Sequence, residues 1–202
     1  MGGTLSPRKL PIQARGIATR DAIIEAAAQI LARGGLPIFT TNAVAERAGV
    51  SIGSLYQYFP NKDALMMALI ARQQAERAAR VTSVLVDVQD LPLEQAVRLL
   101  IKAAIADDVN DGLLASALDH EEARLPTAGV VAQALEPLSV PLAKALAIFL
   151  PGASDEWLAI ATQTIPPMVR AIVDLWTSQV PPQLHMAEDE AVRAVLGYLR
   201  QP

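Results

Sequence analysis

A short run of side chains between residues 51 and 58 has the types and spacing to contact a DNA groove. A glutamine can read a base edge through two hydrogen bonds, and hydroxyl groups can bind phosphates. An ordinary helical hairpin, with Tyr56, Tyr58 and Phe59 as core aromatics, accounts for the same spacing, and both interpretations stay open on the spacing alone. The residues left to face outward if Leu55 points inward are Ser51, Ile52, Ser54, Gln57 and Tyr58.

The residues before this run suit the first helix of a helix-turn-helix. Such a unit needs a small residue where its helices cross and a turn residue that tolerates positive φ. Ala45 fits the crossing and Gly49 fits the turn. Thr40 or Thr41 can cap the first helix, and Ser51 can cap the second. The apolar residues that would seal the pair onto a supporting helix are Val44, Ala48, Val50 and Leu55.

Two acidic groups further along the chain raise the question of metal chemistry. Asp107, Asp108 and Asp111 form a D-D-x-x-D spacing that can hold Mg²⁺ against a diphosphate, as in terpene synthases, and solvated acids at a helix end explain it equally. The run Asp119–Glu122 contains one histidine beside carboxylates and lacks the paired histidines of a zinc helix. The sequence therefore predicts no enzyme, no metal and no cofactor.

Composition sets the class of protein. The 202 residues carry a net charge of −4, yet residues 1–70 hold seven basic and four acidic side chains, a charge of +3, while the rest carries −7. A basic N-terminal segment on an otherwise acidic chain is typical of a protein that binds a polyanion through that segment alone. Hydrophobic residues make up 52%, but charges interrupt the apolar runs before the length of a membrane span. With no cysteine and no secretory pattern, we expect a cytoplasmic protein that does not enter a membrane.

Helical periodicity runs through nearly the whole chain. From Thr19 to Gly34 the apolar residues fall at i, i+3, i+4, i+7 and i+8, and no strand alternation competes. The sequence predicts an all-α fold, with breaks or kinks at Pro137, Pro141, Pro166 and Pro167. The helices expected after a connecting helix that ends near Val81 span residues 93–106, 112–125, 130–150, 155–179 and 188–199.

The run AGVSIGSLYQYFPNKDAL, preceded by TTNAVAERA, resembles the N-terminal domain of the tetracycline-repressor (TetR) family. The pattern is roughly T-x-x-x-I/V-A-x-x-A-G-V-S-x-G-x-L-Y-x-Y/H-F-x-x-K-x-x-L. The resemblance covers about residues 19–69, a third of the chain, while the rest resembles the family only in the number and length of its helices. The chain meets the pattern at Thr41, Val44, Ala45, Ala48, Gly49, Val50, Ser51, Gly53, Leu55, Tyr56, Tyr58, Phe59, Lys62 and Leu65.

The resemblance implies a role for each matching position. Thr41, Tyr56 and Lys62 would hold phosphates, and Gln57, at a variable position of the pattern, would read a base. Ile52 would offer methyl contact. Two of these roles also agree with simple physics, because Gly53 lets the backbone approach closely and a lysine opposes the dipole at a helix start unless it meets an anion. The residues that would line the recognition helix are Ser51, Gly53, Ser54, Gln57 and Tyr58.

The domain organisation follows from the resemblance and the helix pattern. We expect a flexible basic arm over residues 1–18, a helix-turn-helix domain over 19–60, a connecting helix over 61–81 and a ligand-binding and dimerisation domain over 82–202. Arg8, Lys9 and Arg15 would form the arm, either as a minor-groove contact or as a disordered tail.

Two apolar stripes near the C-terminus suggest how two chains would pair. In the family the last two long helices form a four-helix bundle across a two-fold axis, so these stripes are expected at a homodimer interface. The alternative is that they face the core of their own subunit, because periodicity cannot say which core is meant. The expected interface residues are Ile172, Leu175, Trp176, Val192, Val195, Leu196 and Leu199.

The functional expectation is a regulator that occupies a palindromic double-stranded DNA operator and is released by a small lipophilic ligand, neutral or cationic. The body is rich in aliphatic residues, and kinked helices would leave an apolar cavity, with His120 or Glu121 as a polar contact. Two alternatives remain: a DNA-binding regulator that needs no ligand, and an all-α prenyl-diphosphate enzyme that uses Asp107, Asp108 and Asp111.

Overall fold

The structure is a computed structural model that describes residues 12–107, 112–179 and 182–200. Throughout these ranges the regular secondary structure is helical and contains no strand, which confirms the predicted all-α fold. The chain divides into two compact units, residues 1–65 and residues 66–202.

The first unit contains α1 (Ile12–Gly34), a 3-10 turn (Leu36–Ile38), α2 (Thr41–Ala48) and α3 (Ile52–Tyr58). Thr40 caps α2 by accepting a hydrogen bond from the Ala43 amide at 3.1 Å. Gly49 ends α2 with φ +68°, a left-handed conformation that favours glycine, and its amide returns to the last turn of the helix. The turn predicted at Gly49 is therefore present.

The core of the first unit is formed by the stripe that the sequence predicted on α1. Ile23, Ala27 and Leu31 lie at i, i+4 and i+8 and are fully buried. Burial of a large aliphatic side chain such as Ile23 or Leu31 stabilises the folded state by about 1.5–3 kcal/mol relative to leaving that side chain exposed. The side chains buried with them in this unit are Phe39, Val44, Ala45, Leu55 and Phe59.

The second unit holds most of α4 (Lys62–Asp87), which begins in the first unit, and its described residues form five further helices. Its core is aliphatic, and its aromatic contact is a stack of Trp157 on Tyr198 with ring centroids 5.4 Å apart. Arg98 joins two helices of this unit by hydrogen bonds to Glu188 and Asp189. The five helices are α5 (Leu93–Ala104), α6 (Gly112–Arg124), α7 (Ala128–Phe149), α8 (Asp155–Thr177) and α9 (Leu184–Leu199).

Three predicted helix boundaries are wrong by four residues or more: the start of α1, the end of α4, and the start of α9, which begins at Leu184 rather than Glu188. Helix α1 begins at Ile12 rather than Thr19, so Arg15 lies on a helix and not on a flexible arm, while Arg8 and Lys9 fall outside the described residues. The connecting helix continues to Asp87 instead of ending near Val81. Packing within the second unit stabilises the additional turns, because Leu85, which follows the predicted end, is buried.

The sequence predicted breaks or kinks at the prolines, and the breaks are absent. Helix α7 runs through Pro137 and Pro141, and α8 runs through Pro166 and Pro167, without interruption. Both helices are long. Buried aliphatic residues hold α8 on both sides of its prolines and hold α7 from Leu138 onward, and this packing outweighs the lost hydrogen bonds. Of the helices described, α7 is long and apolar enough to cross a membrane, by length and composition only.

Candidate nucleic-acid interface and body cavity

The exposed face of α3 is created by how the helix is capped and sealed. Ser51 caps it by accepting from the Ser54 amide at 3.0 Å, and the two hydroxyl oxygens lie 2.9 Å apart. Leu55 is fully buried and Phe59 is 4% exposed, so they fix which side points inward. The side chains on the opposite side are exposed or half-buried, as predicted: Ser51, Ile52, Ser54, Tyr56, Gln57 and Tyr58, together with the backbone of Gly53.

Thr41 lies beside this face because Thr40, and not Thr41, serves as the cap of α2. The Thr41 hydroxyl is 3.2 Å from the Tyr56 hydroxyl, and Tyr56 is 47% exposed. Two of the three positions that the resemblance links to phosphates are thus within hydrogen-bond distance of each other. Their hydroxyl groups can donate together to one phosphate oxygen.

Tyr58 is placed differently from the other residues of the face. A side chain at Gly16 of α1 would come within 3.8 Å of its hydroxyl oxygen, so its ring reaches toward α1. It is also less exposed than Tyr56, the other tyrosine on α3, at 36% against 47%. Tyr58 therefore packs partly within the first unit and leaves its polar end at the surface.

Lys62 begins α4 and lies over the face of the buried Phe39 ring. Its Nζ is 5.1 Å from the ring centroid, and the side chain is otherwise exposed. The negative face of the ring favours an ammonium group there by about 0.5–1 kcal/mol at an exposed site. This contact provides a local reason for a lysine at a helix start, which the sequence analysis had linked only to an external anion.

The second unit contains a cavity of about 670 Å³. Its wall comes mainly from α4, α5, α7 and α8, with Val195 and Leu199 from α9 and Glu122 from α6. The exposed residues in the wall lie on α7 and α8, which places the opening between these two helices. They include Ala132, Glu136 and Ser139 on α7 and Gln163, Pro167 and Ala171 on α8.

The two polar contacts expected for a ligand are not part of this wall. His120 is exposed at the surface, and Glu121 is buried while accepting hydrogen bonds from Arg124 at 2.9 Å. The expectation that His120 or Glu121 would be the polar contact of the pocket is therefore wrong for both residues, and Glu122 of the same helix lies in the wall instead. Sequence reasoning missed the polar residues of the wall because burial of a charged side chain leaves no periodic signal. Those that are buried or half-buried and lie on α4, α6 and the C-terminal half of α8 are Gln74, Arg77, Glu122, Arg170 and Asp174.

The residues of the two stripes predicted to pair two chains differ in how deeply they are buried. Val192, Val195 and Leu199 are at most 4% exposed and belong to the core of their own chain, so their prediction as interface residues is wrong. Ile172, Trp176 and Leu196 are half-buried against the same core. Of the seven residues, Leu175 is the one that is mainly exposed, at 60%. The periodicity correctly identified an apolar stripe but could not identify its partner.

The acidic side chains considered for metal binding are engaged by other side chains. Asp107 is paired with Arg80, and Asp108 and Asp111 lie outside the described residues. Asp119 and Glu122 bond to different helices, to Arg170 and Gln74 respectively. Within the described ranges, no three histidine, cysteine or carboxylate side chains gather into a group that could hold a metal ion.

Known proteins match this chain in both units. The family model for bacterial regulatory proteins of the tetR family matches residues 23–69, and a model for the C-terminal domain of tetracyclin-repressor-like proteins matches residues 92–199. The transcriptional repressor KstR of Rhodococcus jostii is 41% identical over 54 residues, which are 27% of this chain and 26% of KstR. The uncharacterised regulator YvkB of Bacillus subtilis is 34% identical over 61 residues, 30% of this chain and 32% of YvkB. The matches thus span only about a quarter to a third of these curated relatives.

Solved structures share the fold over most of the chain. A TetR-family regulator from Streptomyces coelicolor superimposes with a TM-score of 0.67 at 23% identity, covering 93% of this chain and 98% of its own. The fatty acid degradation regulator FadR of Bacillus halodurans gives 0.63 at 21% identity, with 88% and 97% covered. The multidrug binding protein EbrR, solved with imidazole, gives 0.62 at 20% identity, with 91% and 96% covered. Since the C-terminal family model alone matches more than half of the residues, the chain belongs to the TetR family of bacterial regulatory proteins.

Proposed function

We propose that the protein is a DNA-binding transcriptional regulator that represses by occupying an operator as a homodimer and is released by a small lipophilic ligand. The observation that carries the proposal is the outward face of α3, where Gln57 is exposed between hydroxyl side chains while Leu55 anchors the helix. The likeness of the first unit to the repressor KstR supports it. Because its target is DNA, we also infer a cytoplasmic location.

The test is selection of DNA from a random pool by the purified full-length chain. A dimer should enrich a palindrome, because two recognition helices about one DNA turn apart read two inverted half-sites. Expected half-site centres are therefore about 10 base pairs, or a small multiple, apart. If the protein enriches no sequence beyond those enriched by a variant whose α3 face has been replaced, DNA recognition is refuted. If the enriched motif is a single, asymmetric half-site, the dimer is refuted.

We infer that the pairing surface lies on the outer face of α8 rather than on the buried stripe of α9. Ile160 and Leu175 are more than half exposed, and Ala171 between them is exposed and small enough to let a second helix approach. Leu175→Glu should give a folded monomer with little operator affinity, measured by light scattering after size exclusion. Val140→Glu, at a site 61% exposed on α7, is the matched control. An unchanged dimer for Leu175→Glu would remove this face from consideration.

The cavity favours a ligand-responsive regulator over one whose body only dimerises. Its volume, about 670 Å³, lies within the range of small-molecule sites in proteins. The ligand should raise the melting temperature of the protein by binding the folded state and should release the operator. A panel of apolar compounds, screened first by thermal shift and then by operator release, tests both properties. Compounds that stabilise the protein without releasing DNA would favour the ligand-independent alternative.

A further inference from the structure

The cavity wall changes from polar to apolar along α4. Gln74, Arg77, Val81 and Leu85 lie on one face of this helix and line the cavity in that order. The span from Gln74 to Leu85 is eleven residues, or roughly 16 Å of helix. The first two side chains are polar and the last two are aliphatic, so along α4 the wall changes from hydrogen-bonding groups to hydrocarbon.

Contacts to α6 place further polar groups at the same end. Glu122 accepts a hydrogen bond from the Gln74 amide nitrogen at 3.1 Å, and Arg170 on α8 pairs with Asp119 at 2.5 Å. Asp119 and Glu122 are three residues apart, so they are neighbours on one side of α6. The two networks therefore meet at α6.

The charged groups at this polar end already have partners within the protein. Arg170 pairs with Asp174 as well as Asp119. Arg77 donates to the Gln74 amide oxygen at 3.1 Å, and Gln74 in turn donates to Glu122, so an amide connects a guanidinium group to a carboxylate. An ionic ligand group would lose its hydration here and meet only charged groups that are engaged by other side chains, and burial of such a group is costly.

Hydrogen-bonding capacity remains at Gln74. An amide nitrogen can donate twice and an amide oxygen can accept twice. Its bonds to Glu122 and Arg77 use one site of each kind, so one donor and one acceptor remain beyond the bonds seen among the described residues. Toward the other end, the Thr162 hydroxyl donates to the Ala159 carbonyl of its own helix at 2.8 Å and offers no comparable donor.

We propose that the cavity binds an uncharged, elongated hydrocarbon molecule that carries one hydroxyl or carbonyl group, and that this group lies at Gln74 while the hydrocarbon extends toward Leu85. The proposal rests on the ligand-binding role proposed above for the second unit, and it specifies the class and the orientation of the ligand. A hydroxyl both donates and accepts, so it matches both sites that remain at Gln74. A carbonyl uses the donor site alone.

A series of compounds that share one skeleton tests the ligand class. The skeleton is 4-pentylbiphenyl, which is rod-shaped and close in length to the span from Gln74 to Leu85, and the 4′ substituent is hydroxymethyl, carboxylate, ammoniomethyl or hydrogen. Binding to the full-length protein is measured by titration calorimetry near neutral pH, without DNA. The alcohol should bind about tenfold or more tightly than either ion, since transfer of an uncompensated charge into the cavity costs several kcal/mol before relaxation. Tighter binding of the carboxylate or the ammonium compound, or binding of none of the four, would overturn the proposal.

Variants at the polar end test the orientation. Gln74→Leu keeps the size of the side chain and should weaken the alcohol about threefold to tenfold, the value of one hydrogen bond, while leaving unsubstituted 4-pentylbiphenyl unchanged. Gln133→Leu makes the same replacement at an exposed site of α7 outside the cavity wall and should change neither affinity. Equal weakening of both compounds by Gln74→Leu would overturn the orientation.

A second variant remains informative if Gln74→Leu does not fold. Glu122→Gln preserves size and removes one negative charge, so the polar end changes from two guanidinium groups and three carboxylates to two of each, and the carboxylate compound should gain about tenfold while the alcohol changes little. No gain for the carboxylate would overturn the charge-balance argument. Operator binding by the same ligand-free samples is measured in parallel, so that failure of DNA recognition is distinguished from failure of the ligand class.

Discussion

The two kinds of DNA contact should separate when Gln57 and Lys62 are replaced one at a time. Gln57 is exposed, and its side chain makes no hydrogen bond within the described part of the chain, so Gln57→Ala should leave the free energy of unfolding within about 0.5 kcal/mol of the original. Loss of two hydrogen bonds to a base should remove about 1–3 kcal/mol of discrimination at each half-site. This corresponds to roughly fivefold to 150-fold.

Lys62→Ala should behave differently because the lysine has two separable contributions. Loss of its position over the Phe39 ring should reduce stability by about 0.5–1 kcal/mol. Loss of one phosphate contact should reduce the slope of log affinity against log salt by about one for each half-site, for all sequences alike. Lys144→Ala removes a positive charge from an exposed position on α7 and serves as the control for net charge.

The assay compares DNA selection with binding titrations at several salt concentrations. Gln57→Ala should broaden the selected motif at defined positions and keep the salt slope. Lys62→Ala should keep the motif and lower the slope. If Gln57→Ala selects the original motif while Lys62→Ala changes it, the roles of the two residues are wrongly assigned.

Three further changes test local structure. Thr40→Ala should lower stability by about 1 kcal/mol through loss of the α2 cap, whereas Thr41→Ala should cost less because its hydroxyl bonds only an exposed tyrosine; equal losses in urea denaturation would contradict the capping role. Gly49→Ala should cost about 1–2 kcal/mol in the same assay, since its φ is +68°, and an unchanged midpoint would show that the turn relaxes. The hydrogen bond from Arg98 holds the pKa of Asp189 below its ordinary value, so the pair stabilises the protein above that value and its contribution is lost as the pH falls through the lowered pKa. The melting-temperature difference between wild type and Arg98→Met should therefore shrink between neutral pH and about pH 3, and a constant difference would contradict this coupling.

The recognition helix was predictable because local chemistry determines it. Ser51 caps it, Gly49 makes the turn before it, and Leu55 orients it, and all three act over a few residues. Such short-range signals survive whatever the rest of the chain does. The exposure of Gln57 follows from them without further knowledge of the fold.

Long-range packing set what the sequence could not predict. The stripe through Val192 and Leu199 has the same period whether it meets its own subunit or a second one, and only the fold showed that it faces its own core. The polar end of the cavity was hidden for a related reason. Gln74 and Glu122 are 48 residues apart, and each resembles a surface residue until the helices are packed.

The adjacent prolines of α8 affect how stiff the cavity wall is. Pro166 and Pro167 have no N–H, so the carbonyl groups of Thr162 and Gln163 lack their usual helical donors, and two successive rungs of the hydrogen-bond ladder are missing. Both carbonyl-bearing residues line the cavity. A helix segment that lacks two adjacent hydrogen bonds bends more easily than the segments on either side of it. This part of the cavity wall is therefore flexible. The cavity can therefore change its width by flexing one helix, without repacking the buried residues on either side.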